Sequence, residues 1–198
     1  MKLAIVFLGM LAMAIPGIAL AQCSINGNIT AAPNADPALP AWEYTLVITW
    51  DTGSLNALSH ANLLIDPVGG TCSCSDINMA LTLENPSGTS DGEGGCTVPY
   101  DGFIECDGDP SIPGVTGILL KFEPDEDLGC EPGTTGVATF VFYSEQSPVP
   151  VDEDILSLVD KFAGNSCFGN VSGEFPGLAC NPVPAKDSSW GRMKGLYQ

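Results

Sequence analysis

The chain has 198 residues, with 24 acidic and six basic side chains, eight cysteines and a single histidine. Its net charge of −18 at neutral pH repels a phosphate backbone, which excludes nucleic-acid binding. The same surface attracts cations or basic surfaces, although solubility of an exported protein is the simpler interpretation.

Residues 1–21 have the features of a secretory signal peptide. They contain, in order, a positively charged residue, an apolar run and small residues before a cleavage site: Lys2, Leu3–Ile15 and Ala19-Leu20-Ala21. Pro16 and Gly17 favour cleavage over a membrane-spanning helix, and Gln22 stands where a lipoprotein needs a small residue before Cys23. We therefore predict a mature protein without a transmembrane anchor, in the extracellular space, at the cell surface or in the periplasm.

Removal of the signal leaves enough residues for one domain, which we assign to 22–184. The remaining residues, 185–198, form a tail that we expect to be mobile. This tail holds three of the five remaining basic residues together with apolar ones: Lys186, Trp190, Arg192, Met193, Lys194 and Tyr197. Its composition is typical of a frayed terminus, and docking on an envelope component or another extracellular partner is the alternative.

The clearest strand prediction covers Trp42–Trp50. Large apolar side chains recur there at every second position: Trp42, Tyr44, Leu46, Ile48 and Trp50. Pro40 before the run and Asp51-Thr52-Gly53 after it are breakers that end the strand. Aromatic residues in such an alternation are typical of a core, and a sugar-stacking platform is the alternative.

Further strands are predicted along the chain between turns rich in glycine and proline: 24–29, 63–65, 97–100, 103–105, 117–123, 136–144 and 168–175. Asp101-Gly102 is the pair that a type I′ hairpin prefers. Residues Asp152–Phe162 have helical periodicity, and a strand over Leu156–Phe162 is the alternative. This spacing of strands predicts an all-β fold, a disulfide-stapled antiparallel β-sandwich of Ig-like or jelly-roll-like type with at most one short helix.

An even number of cysteines in an exported chain indicates a disulfide framework: Cys23, Cys72, Cys74, Cys96, Cys106, Cys130, Cys167 and Cys180. Zinc is disfavoured because Cys72-Ser73-Cys74 lacks the usual C-x-x-C spacing and the chain has one histidine. Cys96 and Cys106 flank the predicted hairpin at equal distances, so we predict their pairing first. A Cys23–Cys180 pair assumes that the first and last strands are neighbours. The other pairings stay open.

Acidic loops provide the candidates for a calcium site: Asp107, Asp109, Asp125 and Asp127. Calcium takes six to eight oxygen ligands, often from carboxylates separated by glycine turns, and Asp107-Gly108-Asp109 is the best match. None of the acidic loops has EF-hand spacing, and solvated surface loops are the alternative. No other cofactor is predicted.

Two features invite a catalytic interpretation. Gly88-Thr89-Ser90-Asp91-Gly92 matches the G-x-S-x-G nucleophile elbow, but no helix pattern and no histidine follow it. Histidine is the usual general base at neutral pH, yet no residue in the sequence marks itself as a partner of His60. We therefore predict a structural histidine and no catalytic residue. Two glycosylation sequons, Asn28-Ile29-Thr30 and Asn170-Val171-Ser172, matter only in a host with the corresponding machinery.

Three segments resemble uncharacterised secreted bacterial β-sandwich domains that contain cysteines: Leu58-Ser59-His60, the strand Gly117-Ile118-Leu119-Leu120-Lys121-Phe122 and the closing segment Cys167–Cys180. The ending Ser-Trp-Gly-Arg-Met-Lys-Gly-Leu-Tyr is similar to short basic tails on exported proteins of uncultured bacteria. No activity is attached to either resemblance, so neither implies catalytic residues.

These observations predict a secreted, non-catalytic structural or binding protein of the cell surface or extracellular space. One alternative is a calcium- or carbohydrate-binding module, which three converging carboxylates in a loop would favour. The other is a secreted hydrolase, which a cleft joining His60 to carboxylates would favour. The oligomeric state stays open.

Overall fold

The computed structural model describes residues 22–67, 72–80, 86–113, 115–125, 129–161 and 164–178. The predicted signal peptide, Asp127, Cys180 and the C-terminal tail lie outside these residues. Among the described residues, no helix has the length and apolar character that crossing a membrane requires.

The described residues form nine strands and one short α-helix. The strands are β1 (Ser24–Pro33), β2 (Trp42–Asp51), β3 (Leu58–Pro67), β4 (Ser87–Asp91), β5 (Thr97–Glu105), β6 (Gly117–Pro124), β7 (Thr135–Ser144), β8 (Pro148–Asp160) and β9 (Ser166–Pro176). The helix α1 spans Cys74–Ala80, and a 3₁₀ turn covers Glu93–Gly95. The prediction of an all-β fold with at most one short helix is thus confirmed for the described part of the chain.

The strands close into a barrel in the order β1-β2-β7-β4-β5-β6-β3-β8-β9, so the predicted sandwich is wrong. Closure comes from a parallel pair between β1 and β9, with Gly27 opposite Val171 and Ile29 opposite Gly173. A sandwich leaves sheet edges, whereas a closed barrel pairs them. The backbones at this seam approach so closely that a Cβ added at Gly169 would collide with the carbonyl of Ile25.

The barrel interior is filled by the inward-facing side chains of the strands. Phe140 lies at its centre, stacked on Phe122 at 4.0 Å between ring centroids and edge-on to Tyr100 at 5.3 Å. Tyr44 and Trp50 on β2 are buried in the same core. The strand predicted at Trp42–Trp50 is therefore confirmed, and its aromatic face belongs to the core, not to a sugar platform.

β5 runs without a break through Asp101-Gly102, so the predicted hairpin is wrong. It pairs with β4 on one side and β6 on the other. Cys96 and Cys106 consequently stand beyond opposite ends of one strand, roughly 30 Å apart at the usual rise per residue. The predicted Cys96–Cys106 bond is wrong: the disulfides are Cys96–Cys130 and Cys74–Cys106.

The predicted Cys23–Cys180 bond is also wrong, because Cys23 pairs with Cys167. The first and last strands are neighbours as expected, but they run parallel. Cys23 therefore lies beside the start of β9 and not beyond its end. Cys72 is also disulfide-bonded, and no described cysteine is free.

Of the two alternatives for Asp152–Phe162, the helix is wrong and the strand is confirmed, since β8 occupies these positions to Asp160. A register shift between Glu153 and Leu156 interrupts the alternation of β8. Beyond it, Leu156 faces the barrel core while Val159 joins a second apolar cluster. Burial on both faces explains why the apolar positions imitated a helical period.

Candidate functional site

A loop that we call the strap lies against the outside of the barrel. It comprises residues 106–116, of which 114 lies outside the described residues, and it connects β5 to β6. Its Ile112 and Val115 are buried in the second apolar cluster, which also contains Leu64, Leu119 and Val159. The strap thus covers a patch of the barrel wall that would otherwise expose apolar side chains.

His60 and Asn62 lie under the strap because of the local shape of β3. A register shift between Leu58 and His60 marks a bulge. Beyond this bulge, Ala61 and Leu63 face the barrel core, so His60 and Asn62 project to the outside.

Asp109 is the polar anchor of the strap, and its carboxylate is fully engaged. Oδ2 lies 2.6 Å from Nε2 of His60 and accepts a 2.7 Å hydrogen bond from Nδ2 of Asn62. Oδ1 accepts a 2.8 Å hydrogen bond from the backbone N–H of Ser111. Asn62 Nδ2 also lies 3.3 Å from Ser157 Oγ. Asp109 is 2% exposed and His60 is 4% exposed, so this network excludes bulk water.

The environment keeps Asp109 ionised. Burial by itself would raise the pKa of its carboxyl, but the hydrogen bond and charge of His60 and the other two donors lower it further. The net effect places the pKa of Asp109 below its ordinary value of 3.8. Since an ionised carboxylate only accepts hydrogen bonds, Nε2 of His60 carries the proton that it shares with Oδ2.

Ser59 extends this network towards the surface. Its Oγ lies 3.2 Å from Nδ1 of His60, so Ser59, His60 and Asp109 form a hydrogen-bonded chain. Hydrolases line up a nucleophile, a base and a carboxylate in this order, but with Nε2 towards the serine and Nδ1 towards the carboxylate, whereas the two ring nitrogens are exchanged here. Ser59 is half-buried, while the other two residues are buried. The structure therefore joins His60 to a carboxylate through a buried contact and not across a cleft.

The strap also borders a surface depression of about 410 Å³. The side chains that line it are Glu105, Asp107, Asp109, Ile112, Val115 and two prolines, Pro110 and Pro113. Asp107 is exposed at this depression, whereas Asp109 is bonded to His60.

The calcium candidates do not converge in the described residues. Asp107 and Asp109 share the depression, but Asp125 follows the far end of β6, where its N–H donates to the carbonyl of Pro99. Asp127 lies outside the described residues. Across the ranges that the structure covers, no group of three or more His, Cys, Asp or Glu side chains is placed to hold a metal.

Ser90 of the elbow-like motif belongs to β4, which is not among the strands that the sequence predicted. It is 5% exposed, and its Oγ lies 3.1 Å from the hydroxyl of Tyr100. Burial raises the pKa of Tyr100 to about 12, so this hydroxyl stays protonated. Ser90 therefore faces the barrel core on a strand, without the exposed turn that a nucleophile elbow requires.

A second buried carboxylate, Asp160, holds two loops together near the end of β8. Its oxygens accept hydrogen bonds from Ser54 Oγ at 2.7 Å, Asn56 Nδ2 at 3.3 Å and the N–H of Asn165 at 2.8 Å. Asn165 also donates to the carbonyl of Thr52 at 2.6 Å. These contacts join the β2–β3 loop to the β8–β9 loop.

The sequence did not reveal the partnership between His60 and Asp109, which stand 49 residues apart. One signal was present. His60 and Asn62 are polar positions within an otherwise apolar segment, and buried polar side chains need partners.

Comparisons of the chain with protein families, curated proteins and solved structures return no match.

Proposed function

We propose that this chain is an exported, disulfide-held barrel with a structural or binding role outside the cell, and that it is not an enzyme. Three disulfides among the described residues are compatible with an oxidising compartment. Their separations of 144, 32 and 34 residues tie distant parts of the barrel together, which suits a protein exposed to an extracellular or periplasmic environment.

The observation that carries this proposal is the buried contact between His60 and Asp109. The chain has one histidine, and its ring is enclosed between β3 and the strap. Both oxygens of Asp109 accept hydrogen bonds from the protein itself. These groups fix a loop to the barrel wall, and a substrate would have to displace the strap to reach them.

A hydrolase is the second candidate, and one observation favours it. In the hydrogen-bonded series Ser59–His60–Asp109, Ser59 is the member nearest the solvent, and its side chain is half-buried. With Nε2 of His60 donating to Asp109, the other ring nitrogen, Nδ1, faces the hydroxyl of Ser59. Such a serine would attack a reactive acyl or phosphoryl centre, and its proton would pass to Nδ1.

A fluorophosphonate probe distinguishes the two candidates. An activated serine displaces fluoride from phosphorus and becomes covalently labelled, whereas an ordinary serine does not react. Under our proposal, intact mass spectrometry of the folded protein shows no adduct on Ser59. Labelling that disappears in Ser59→Ala and Asp109→Asn but persists in the matched control Ser157→Ala would establish the hydrolase instead.

A further inference from the structure

One outer face of the barrel combines small polar and aliphatic side chains from four adjacent strands, β1, β2, β7 and β4. We call it the neutral face. Its members are Asn26, Asn28 and Thr30 on β1, Thr45, Val47 and Thr49 on β2, Val137, Thr139 and Val141 on β7, and Ser87 and Thr89 on β4. Neighbouring positions on each strand are buried towards the core, including Ser90 on β4, so these side chains point outward.

The strand register places these side chains in rows across the barrel wall. In one row Asn28 lies opposite Val47, which lies opposite Thr139, which lies opposite Thr89. The next row runs from Thr30 through Thr45 and Val141 to Ser87. The face is therefore assembled from four separate parts of the chain, and no single segment of sequence shows it.

None of these side chains is charged, although the residues between the predicted signal and the tail carry a net charge of −21. Acidic residues border the face instead, at Glu43, Asp51, Asp91 and Asp101. The barrel's lysines lie elsewhere, Lys121 on β6 beside Glu123 and Lys161 after β8 beside Glu131. The face itself offers a charged partner no counter-charge, and its acidic border repels a polyanion, so it fits an uncharged partner.

The size of the face argues against a second copy of the chain as that partner. Four strands about 4.8 Å apart and three rows about 6.8 Å apart cover roughly 400 Å². A stable protein–protein interface needs about 800 Å² from each partner. Two acidic barrels would also repel each other around any such contact.

We propose that the neutral face binds a neutral polysaccharide. Asparagine amides and threonine hydroxyls both donate and accept hydrogen bonds, as sugar hydroxyls do. Val47 and Val137, which are 38% and 52% exposed, provide apolar contact for the C–H groups of a sugar ring. Asn28 Nδ2 lies 3.2 Å from Ser172 Oγ on β9, which orients its amide before any ligand arrives. This inference rests on the proposed binding role and names its ligand class.

Affinity electrophoresis in native gels tests this surface. The mature protein is run through gels that contain a neutral glucan, mannan or galactan, and through one that contains acidic polygalacturonate. We expect retardation by at least one neutral polymer and none by the acidic one. Thr139→Glu replaces a small side chain at the centre of the face with a long charged one that the polymer would have to desolvate, so it should weaken retardation about tenfold or more. Thr97→Glu introduces the same charge on an exposed position of β5 outside the face and should bind like wild type.

Three results would overturn the inference. The first is the absence of retardation by every neutral polymer, and the second is equal retardation of Thr139→Glu and wild type. The third is a dimer in sedimentation experiments that Thr139→Glu dissociates, because the occupant would then be a second copy. The fluorophosphonate result is a separate readout, so failure of this surface and failure of the non-catalytic role are distinguishable.

Discussion

Asp109 accepts a 2.6 Å hydrogen bond from His60, and through this contact a loop is fixed to the outer wall of the barrel. Both side chains are buried, and Asn62 adds a second donor to the same oxygen. A buried ionised group is tolerated only when it is paired and hydrogen-bonded. The position of the strap therefore depends on the ionisation of the Asp109 carboxylate.

Acid should weaken the fold through Asp109. Its pKa in the folded state lies below the ordinary value of 3.8, so its stabilising contribution is fully present above that value. The contribution is lost as the pH falls from about 4 through the folded-state value. We expect the free energy of unfolding, measured by denaturant titration between pH 2 and 6, to fall more steeply for wild type than for Asp109→Asn. Parallel curves would show that Asp109 does not contribute to acid sensitivity.

Closure of the barrel should depend on Gly169. A methyl group at this position collides with the backbone carbonyl of Ile25 on the neighbouring strand, so Gly169→Ala should lose about 3 kcal/mol or more, or fail to fold. Gly164→Ala is the matched control, because its Cβ would meet only ordinary contacts at 3.7 Å. Denaturant unfolding with the disulfides intact measures both. Equal stability of the two variants would contradict the parallel seam between β1 and β9.

Non-reducing peptide mapping should recover Cys23 linked to Cys167, Cys74 to Cys106 and Cys96 to Cys130. The exported protein should take up no alkylating reagent until it is reduced. The Cys23–Cys167 bond closes a separation of 144 residues, for which the chain-entropy model gives about 5 kcal/mol. A peptide joining Cys96 to Cys106 would contradict the continuous course of β5.

Calcium should not change the thermal unfolding midpoint of the mature protein. Asp109 is occupied by donors from the protein itself, and Asp107 and Asp125 lie beyond opposite ends of β6. A ligand that binds only the folded state raises the midpoint by mass action. Unfolding is followed with calcium and with chelator at equal ionic strength. A clear rise with calcium would assign the acidic loops to a binding site.

The sequence predicted those strands whose alternation is uninterrupted. Three predicted segments show this, since each one is a strand whose buried side chains face the core: 42–50, 117–123 and 136–144. Over β8 the sequence left a helix and a strand as alternatives, because a bulge and burial on both faces disturb the period of two. β4 was missed because Ser87–Asp91 has the composition of a loop and owes its strand geometry to pairing with β5 and β7.

Closure and the candidate site depend on contacts between distant segments. Nothing local distinguishes a parallel β1–β9 pair from an antiparallel one, so Cys23 was assigned to the wrong partner. Asp101-Gly102 has the sequence of a turn, yet the backbone of Gly102 lies against Pro86 within a continuous strand. Likewise, His60 appears without a partner until the strap brings Asp109 to it.

If the His60–Asp109 contact holds the strap on the barrel wall, two amide variants in this loop should differ in stability. Asp109→Asn removes the charge that faces His60, while Asp107→Asn makes the same change at an exposed position of the same loop. We predict that Asp109→Asn lowers the free energy of unfolding at pH 7 by about 3 kcal/mol and that Asp107→Asn stays within about 0.5 kcal/mol of wild type. Equal unfolding free energies for the two variants would show that the contact between His60 and Asp109 does not hold the strap.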